Sequence, residues 1–447
     1  MFKMKKNKLY LFLLLTIFLA FINLTKQNQI ILPFKTETIN IESSKFIESI
    51  TDNKIYVTAE VGDKPQKIKL YLTMKVSFLA ISDISIDPSY FNCSKSGTYL
   101  NSSETNNLYY EIFYKGLYAN DSFFFRTSLE NTEQKKFDNI EFLHVMEYSL
   151  SNYNAPGYFG LQIPKPYKKN IFETLKKIGA ISSYIFDIKY TSESEGYLSI
   201  GELPPEFNNK DAVKKANALP CQNGLSDNSL CWDIKFNDIK FGNIKVNRER
   251  TATISPELGV IVGSEEYRTK IKENYFEKVL GDKCQEKEYG NNYYYYYECQ
   301  KDTDLSSFED LVFTHQEFMY NFIFTKDDLF KEYNNKLYFL VIFDKNFYQT
   351  KAWKLGKTFI KKYNFVYDAA NKLIFFYDNT QTDNNKKSSN LIYWIIIGIL
   401  GIGVIVMIIL VLNKSYFKPH KKKANELTED IEYTNADNKT KENALGI

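Results

Sequence analysis

Side chains able to do acid–base or metal chemistry are few and scattered in this chain. Histidine occurs three times in 447 residues. His144 lies in the alternating stretch IEFLHVMEY and His315 follows another strand-like run, which reads as two structural histidines. Neither has clustered Cys, Asp or Glu partners, so no metal site is expected, and no cofactor. Five cysteines fit an oxidising compartment with two bridges and one residue left over. The favoured pairings are local, Cys221–Cys231 and Cys284–Cys299, each bracketing a polar, Asn-rich loop. Closing such a loop constrains the unfolded chain by roughly 3 kcal/mol in the chain-entropy model. Cys93 is the odd one and lies inside a sequon, Asn92-Cys93-Ser94. Asn101 and Asn120 open two more, so three asparagines are glycan candidates, although an Asn-rich chain also meets sequons by chance.

The length allows two lobes, each with its own core. A net charge of +3 gives no electrostatic case for a nucleic-acid partner. Aromatic residues make up 16% of the chain, and the run Tyr293 to Tyr297 is either a compositional habit or a Tyr-rich recognition loop. Lys3, Lys5, Lys6 and Lys8 precede the apolar stretch Leu9 to Leu24, the order of a secretory signal peptide over residues 1–26, with an uncleaved anchor as the competing reading. Leu391 to Leu412 carries no charge and, at about 1.5 Å per residue, is long enough to cross a hydrocarbon core of roughly 30 Å. Lys414, Lys418 and Lys421 to Lys423 follow it, as a cytoplasmic flank requires. The expectation is a single-pass type I membrane protein, with a linker at 381–390, a membrane helix at 391–412 and a cytoplasmic tail at 413–447. Tyr433, behind Glu429-Asp430-Ile431-Glu432, is either a phosphorylatable tyrosine or part of a solvated tail.

Between these ends the pattern is one of short alternating strands. Tyr56 to Val61 and Ile68 to Leu72 flank a Gly62-Asp63-Lys64-Pro65 turn, and Phe78 to Ile81 follows. Asp83 to Asn107 reads as loop, Leu108 to Phe125 as a hairpin, Ile171 to Ile178 as a helix ending at Gly179, and Tyr184 to Tyr190 as a strand. Ala155-Pro156-Gly157-Tyr158-Phe159-Gly160-Leu161 is similar to A-D-G-I-L-G-L. Trp353, Leu355, Gly356, Phe359, Tyr363, Val366, Tyr367, Asp368 and Asn371 fall on W-x-L-G-D-x-F-x-x-x-Y-x-x-V-Y-D-x-x-N. Taken together, Tyr56 to Tyr377 resembles the pepsin-like aspartic proteases, peptidase family A1. The resemblance implies an all-β fold with short helices, two lobes and a central cleft. Residues 51–202 and 203–380 would be the lobes, behind a polar leader at 27–50.

The same resemblance locates the missing chemistry. The family's two D-T-G triplets correspond to Thr73-Met74-Lys75 and Ser255-Pro256-Glu257, and Lys357 replaces the Asp of W-x-L-G-D. Pepsin-like catalysis needs two carboxylates sharing one proton, and two neutral hydroxyls cannot supply that. A nucleophilic Ser255 would need an adjacent base, and none is in view. The flap, Y-G-T-G-S in active relatives, has no Gly-x-Gly tip here. Tyr114 could take the flap tyrosine's place, in either a trimmed hairpin or a remodelled lid. Lys75 and Glu257 either pair as ions across the cleft floor or diverge into solvent. The cleft is either open or plugged by Met74, Phe78 and Leu258. The expected function is that of a membrane-anchored pseudoprotease binding a peptide or protein in the old cleft. The alternatives are an aspartic endopeptidase of acidic compartments and a structural or adhesive surface glycoprotein.

Overall fold

The computed structural model describes residues 28–37, 46–82, 90–108, 114–129, 133–148, 155–165, 169–208, 213–221, 230–247, 250–289, 294–345 and 352–377. They are mostly strand. The chain opens with β1 (Ile30–Thr36), a short helix α1 (Phe46–Thr51), β2 (Ile55–Val61), β3 (Gln66–Thr73) and β4 (Leu79–Ser82). In β2 the residues Ile55, Val57, Ala59 and Val61 are buried and those between them are not, the period of two that places alternate side chains on one face. Gly62 turns the chain from β2 into β3 at φ +94°, a left-handed conformation that a side chain would resist. Next come β5 (Leu100–Leu108), β6 (Tyr114–Arg126), β7 (Gln134–Tyr148), β8 (Gly157–Gly160), helix α2 (Ile171–Lys177), β9 (Ile185–Tyr190) and β10 (Glu195–Ile200). Asn170 caps α2 by accepting from the Glu173 N–H, and Gly179 follows it at φ +70°.

The second half repeats the plan. β11 (Val213–Asn217), β12 (Leu219–Pro220), β13 (Leu230–Cys231), β14 (Asp233–Lys235), β15 (Asp238–Phe241) and β16 (Ile244–Val246) lead to β17 (Thr251–Ile254) and β18 (Ile261–Gly263). Helix α3 (Glu265–Ile271) runs on into a wider helical stretch to Leu280. Then follow β19 (Cys284–Tyr289), β20 (Tyr294–Gln300), β21 (Leu311–His315), β22 (Tyr320–Phe324), α4 (Lys326–Leu329), β23 (Phe330–Tyr333), β24 (Lys336–Phe339) and β25 (Val341–Asp344). The last elements are β26 (Trp353–Leu355), α5 (Lys357–Lys362), β27 (Phe365–Asp368) and β28 (Leu373–Tyr377).

The duplication is visible in the pairing. β8 threads between β3 and β4, parallel to β3 (Thr73 opposite Gly160) and antiparallel to β4. β26 threads in the same way between β17 and β18, parallel to the first (Ile254 opposite Leu355) and antiparallel to the second. Each threading needs a glycine. A Cβ on Gly160 would sit 2.4 Å from the Val76 carbonyl oxygen, and one on Gly356 would sit 2.2 Å from that of Val260. The halves are joined because β27 pairs with β9, which adds the final hairpin to the sheet of the first half. The core includes Trp232, whose indole N–H donates to the Leu161 carbonyl oxygen at 2.7 Å, and Trp353.

Three expectations change. Residues 30–36, read as polar leader, form β1 between β10 and β2, because Ile30, Leu32 and Phe34 alternate inward. The hairpin expected at Leu108 to Phe125 is instead built from β5 and β6, with Leu108 opposite Tyr114. β5 (LNSSETNNL) looks like loop, and its partner β6 is held along its other edge by β7. Gly116 therefore lies inside β6, paired with Asn106, where a Cβ would be 2.2 Å from the His144 carbonyl oxygen. The tyrosine run enters β20, so it alternates: Tyr297 stacks on buried Phe276 at 3.6 Å, while Tyr296 faces the other way toward Tyr338.

Cys221–Cys231 and Cys284–Cys299 are both bridged, and Cys93 is in neither bridge. Asn92 and Asn101 are exposed and Asn120 is half-buried. The Asn92 side-chain oxygen accepts from the Ser94 N–H and hydroxyl. No helix among the described residues is long and apolar enough to cross a membrane. The stretches 1–26 and 378–447, with the expected signal peptide, linker, membrane helix and tail, lie outside the described residues.

Candidate functional site

The threading of β8 and β26 leaves two strand-to-strand loops, 73–78 after β3 and 255–260 after β17. Both are held from below. Leu161 N–H donates to the Thr73 carbonyl oxygen at 2.7 Å and Gln162 N–H to that of Val76 at 3.0 Å. In the second half Ser255 N–H donates to the Leu355 carbonyl oxygen at 3.0 Å, and Lys357 N–H to that of Leu258 at 2.6 Å. Thr358 adds a hydroxyl bond to the Gly259 carbonyl oxygen at 2.9 Å.

Across the gap the loops are tied by one side chain. The Thr73 hydroxyl donates to Glu257 Oε1 at 2.6 Å, and the Met74 N–H donates to the same oxygen at 2.8 Å. The Lys75 N–H in turn donates to Thr73 Oγ1 at 3.1 Å. Thr73 is 4% exposed, so its hydroxyl is buried with both its donor and acceptor roles filled. The expected Lys75–Glu257 ion pair is not formed. Lys75 is exposed, and its charge acts on Asp52, while the Glu257 carboxylate is turned inward to two uncharged donors. In the sequence Glu257 was set only against Lys75 or solvent; what escaped is that this third residue of the opposite triplet has a side chain long enough to reach the Thr73 hydroxyl and the Met74 N–H.

Met74 and Phe78 are buried, Met74 in the main core and Phe78 in a small cluster with Val76, Ala80 and Leu143. Neither meets Leu258. Leu258 packs instead on a cluster of Val260, Val262 and Ile342, against which Tyr289, Tyr294 and Ile50, a residue of α1, also lie. The chain just before β2 thus covers the second loop. Gly259 N–H donates to the Thr51 carbonyl oxygen at 2.8 Å, Asn53 N–H donates to that of Glu257 at 2.8 Å, and Asp52 pairs antiparallel with Leu258. The Asn53 amide donates to the Pro256 carbonyl oxygen and to the Tyr190 hydroxyl, both at 2.8 Å. The sequence signal was FIESI, with apolar residues spaced for one face of a helical turn inside a stretch that otherwise reads as polar leader.

Lys357, the other replaced carboxylate, opens α5 and pairs with Glu193 at 3.2 Å. Burial nevertheless pushes its pKa down to about 8, with Lys331 adding to the effect. Glu193 is 69% exposed, so its charge is screened and cannot offset the lost hydration of the ammonium. Tyr190, beside Lys357 and Asn53, has its hydroxyl pKa raised by burial, an effect that the Asn53 hydrogen bond opposes and the Glu257 charge reinforces. The two histidines are structural. His144 Nδ1 is 2.7 Å from the Tyr99 hydroxyl, and His315 stacks on Phe318 and accepts from its N–H, its pKa lowered to about 4 by burial. Among the described residues no group of His, Cys, Asp and Glu could hold a metal ion. Tyr114 is in β6, opposite Leu108 and Tyr148.

Chemically, the floor offers one carboxylate with two hydrogen bonds already on one oxygen. Ser255 in the matching position is a neutral hydroxyl. Asp52, the acidic residue paired to Leu258, directs its carboxylate toward Lys54 at 3.7 Å. The proton-sharing pair required to activate a water and protonate a peptide carbonyl is not assembled by these residues.

Residues 58–378 match the family model described as eukaryotic aspartyl protease. No curated protein matches the chain.

Proposed function

Because the chain belongs to the eukaryotic aspartyl protease family, we propose that it is a catalytically inactive member, anchored in a membrane by residues 391–412, with the two-lobed body outside the cell or in an endomembrane lumen as a peptide- or protein-binding module. The observation that carries the reading is the fate of the two catalytic positions. Thr73 and Ser255 stand there, and the one carboxylate at hand, Glu257, is engaged by the Thr73 hydroxyl and the Met74 N–H. A half-buried, doubly bonded carboxylate serves to hold the loops together, since charge-assisted bonds of this kind are among the stronger ones in a protein. The retained threading, with its close-approach glycines, supports a scaffold kept for its shape after the chemistry was lost.

The experiment is a peptide array offered to the full-length chain in detergent micelles from acidic to neutral pH. The expected result is a subset of peptides retained and recovered intact. Recovered peptides with new termini would return the chain to the endopeptidases, and no retention at any pH would favour a structural surface protein. Cell-surface labelling and carbonate extraction test the anchoring. Loss of membrane association on deleting 391–412 is expected, and retention without that stretch contradicts it.

A further inference from the structure

The segment 46–53 is held by the second loop much as a bound peptide would be. Its backbone pairs with the loop through Thr51, Asp52 and Asn53. Its side chains reach a wall of tyrosines: Phe46 stacks on Tyr333 at 4.2 Å with the rings 4° from parallel, and lies against Tyr338 at 4.5 Å. Ile47 joins that cluster, and Ile50 packs against it and against a second cluster, Val260, Val262 and Ile342, on which Tyr289, Tyr296 and Leu258 also pack. The loop has a glycine where the segment crosses. A Cβ on Gly259 would lie 1.8 Å from the Ile50 carbonyl oxygen, and the next two nearest atoms, the Ile50 carbonyl carbon at 2.9 Å and Asn53 Cβ at 3.7 Å, also belong to the segment. Gly259 therefore serves the contact with this segment, and nothing else near it demands a glycine.

Two features make the segment displaceable. Its helix has six residues, too short to persist without the wall beneath it. Four of its eight residues stay open to water, Glu48 and Asp52 exposed and Ser49 and Ile50 half-exposed, while Phe46, Ile47, Thr51 and Asn53 are buried. The wall is made of rings carrying hydroxyls, surfaces that serve interfaces because one end is apolar and the other can be wetted.

We propose that loop 255–260 and the tyrosine wall form a peptide-docking surface which the chain holds closed with its own residues 46–53. The partner is a peptide with the same pattern: an aromatic–aliphatic pair, an aliphatic residue one turn on, then an extended polar stretch whose backbone pairs with residues 257–259. The inference rests on the binding-module reading and gives that reading a location and a ligand class. An intramolecular competitor acts at an effective concentration in the millimolar range, so the wild type binds such a peptide weakly until the segment is loosened.

The test uses the full-length chain in detergent micelles and a fluorescent synthetic peptide spanning residues 44–54. Phe46→Ala with Ile50→Ala loosens the segment and leaves the surface intact. This variant is expected to bind the peptide at least about tenfold more tightly than the wild type. Adding Gly259→Ala, which obstructs the surface for any occupant, is expected to abolish the gain. Equal binding by all three, or a gain that survives Gly259→Ala, overturns the proposal. Hydrogen exchange on the wild type decides the matter if the loosened variant does not fold. The Asn53 and Gly259 amides are expected to exchange together and at least about a hundredfold faster than the Leu161 amide under the first loop, as a segment opening as a unit requires. Exchange at the Leu161 rate makes the segment a permanent part of the core and overturns the proposal. Either failure leaves the absence of catalysis, measured separately by cleavage, untouched.

Discussion

Replacing Glu257 is the sharpest probe of how the two loops are held. Its carboxylate accepts from the Thr73 hydroxyl at 2.6 Å and the Met74 N–H at 2.8 Å. Glu257→Ala removes both bonds and leaves a buried N–H and a buried hydroxyl without their acceptor. Hydrogen bonds to charged groups contribute about 1.5–3 kcal/mol each, so the loss is about 3–5 kcal/mol once some water enters the gap. The unfolding entropy of a body on the order of 300 residues is about 0.7 kcal/mol per degree, which turns that loss into a fall in Tm of about 4–7 °C. Glu257→Gln keeps one oxygen acceptor in place and costs about 1–2 kcal/mol. The assay is thermal and denaturant unfolding of the full-length chain in micelles, with Thr73→Val completing a double-mutant cycle. A coupling energy of about 1 kcal/mol or more between positions 73 and 257 is expected. Glu257→Ala within about 1 °C of the wild type, or additive effects in the cycle, would refute the bridge.

Three further outcomes follow from the same physical picture. Gly356→Ala places a Cβ 2.2 Å and 2.4 Å from two backbone carbonyl oxygens, which cannot move without breaking the threading, so a loss of about 3 kcal/mol or more and a reduced folded yield are expected in an expression and unfolding assay. Asp187 is buried, and its pKa is raised to about 7 by lost hydration first and the Glu206 charge second. Because its folded pKa is above its unfolded one, the native state binds the extra proton, and stability falls as pH rises from about 4 to about 7, by on the order of 4 kcal/mol at most. Asp187→Asn is expected to flatten that part of the pH–stability curve. Cys284→Ser with Cys299→Ser releases the bridge that joins β19 to β20 and is expected to cost about 3 kcal/mol, read as a lower denaturation midpoint with an unaltered fold by circular dichroism.

Much of this was legible in the residues because it depends on local rules. Alternation marked β2 and β3, Gly179 marked the end of α2, and Trp353, Gly356 and Tyr363 identified the final threaded unit at fixed spacing. The two neutral hydroxyls at Thr73 and Ser255 were readable for the same reason. What escaped depends on partners far away in the chain. β1 looked like leader because its strand character comes from β10, whose Ser199 and Leu198 lie opposite Ile31 and Leu32. β5 is polar and became strand only through β6. The fate of Glu257 turned on a choice between a cation on the facing loop and two uncharged donors there, and spacing alone does not rank these. The segment 46–53 was missed because its apolar residues are few, and their destination, the tyrosines of β19, β20, β23 and β24, is more than two hundred residues downstream.

On the function proposed above, the family's catalytic chemistry is gone while its scaffold remains. The most direct measurement is cleavage of a peptide library by the purified full-length chain from acidic to neutral pH, with and without a pepstatin-type inhibitor, beside the double variant Thr73→Ala with Ser255→Ala. No cleavage above that of the double variant is expected at any pH. Cleavage by the wild type that the double variant loses would contradict that function, and would mean that these two hydroxyls take part in the reaction.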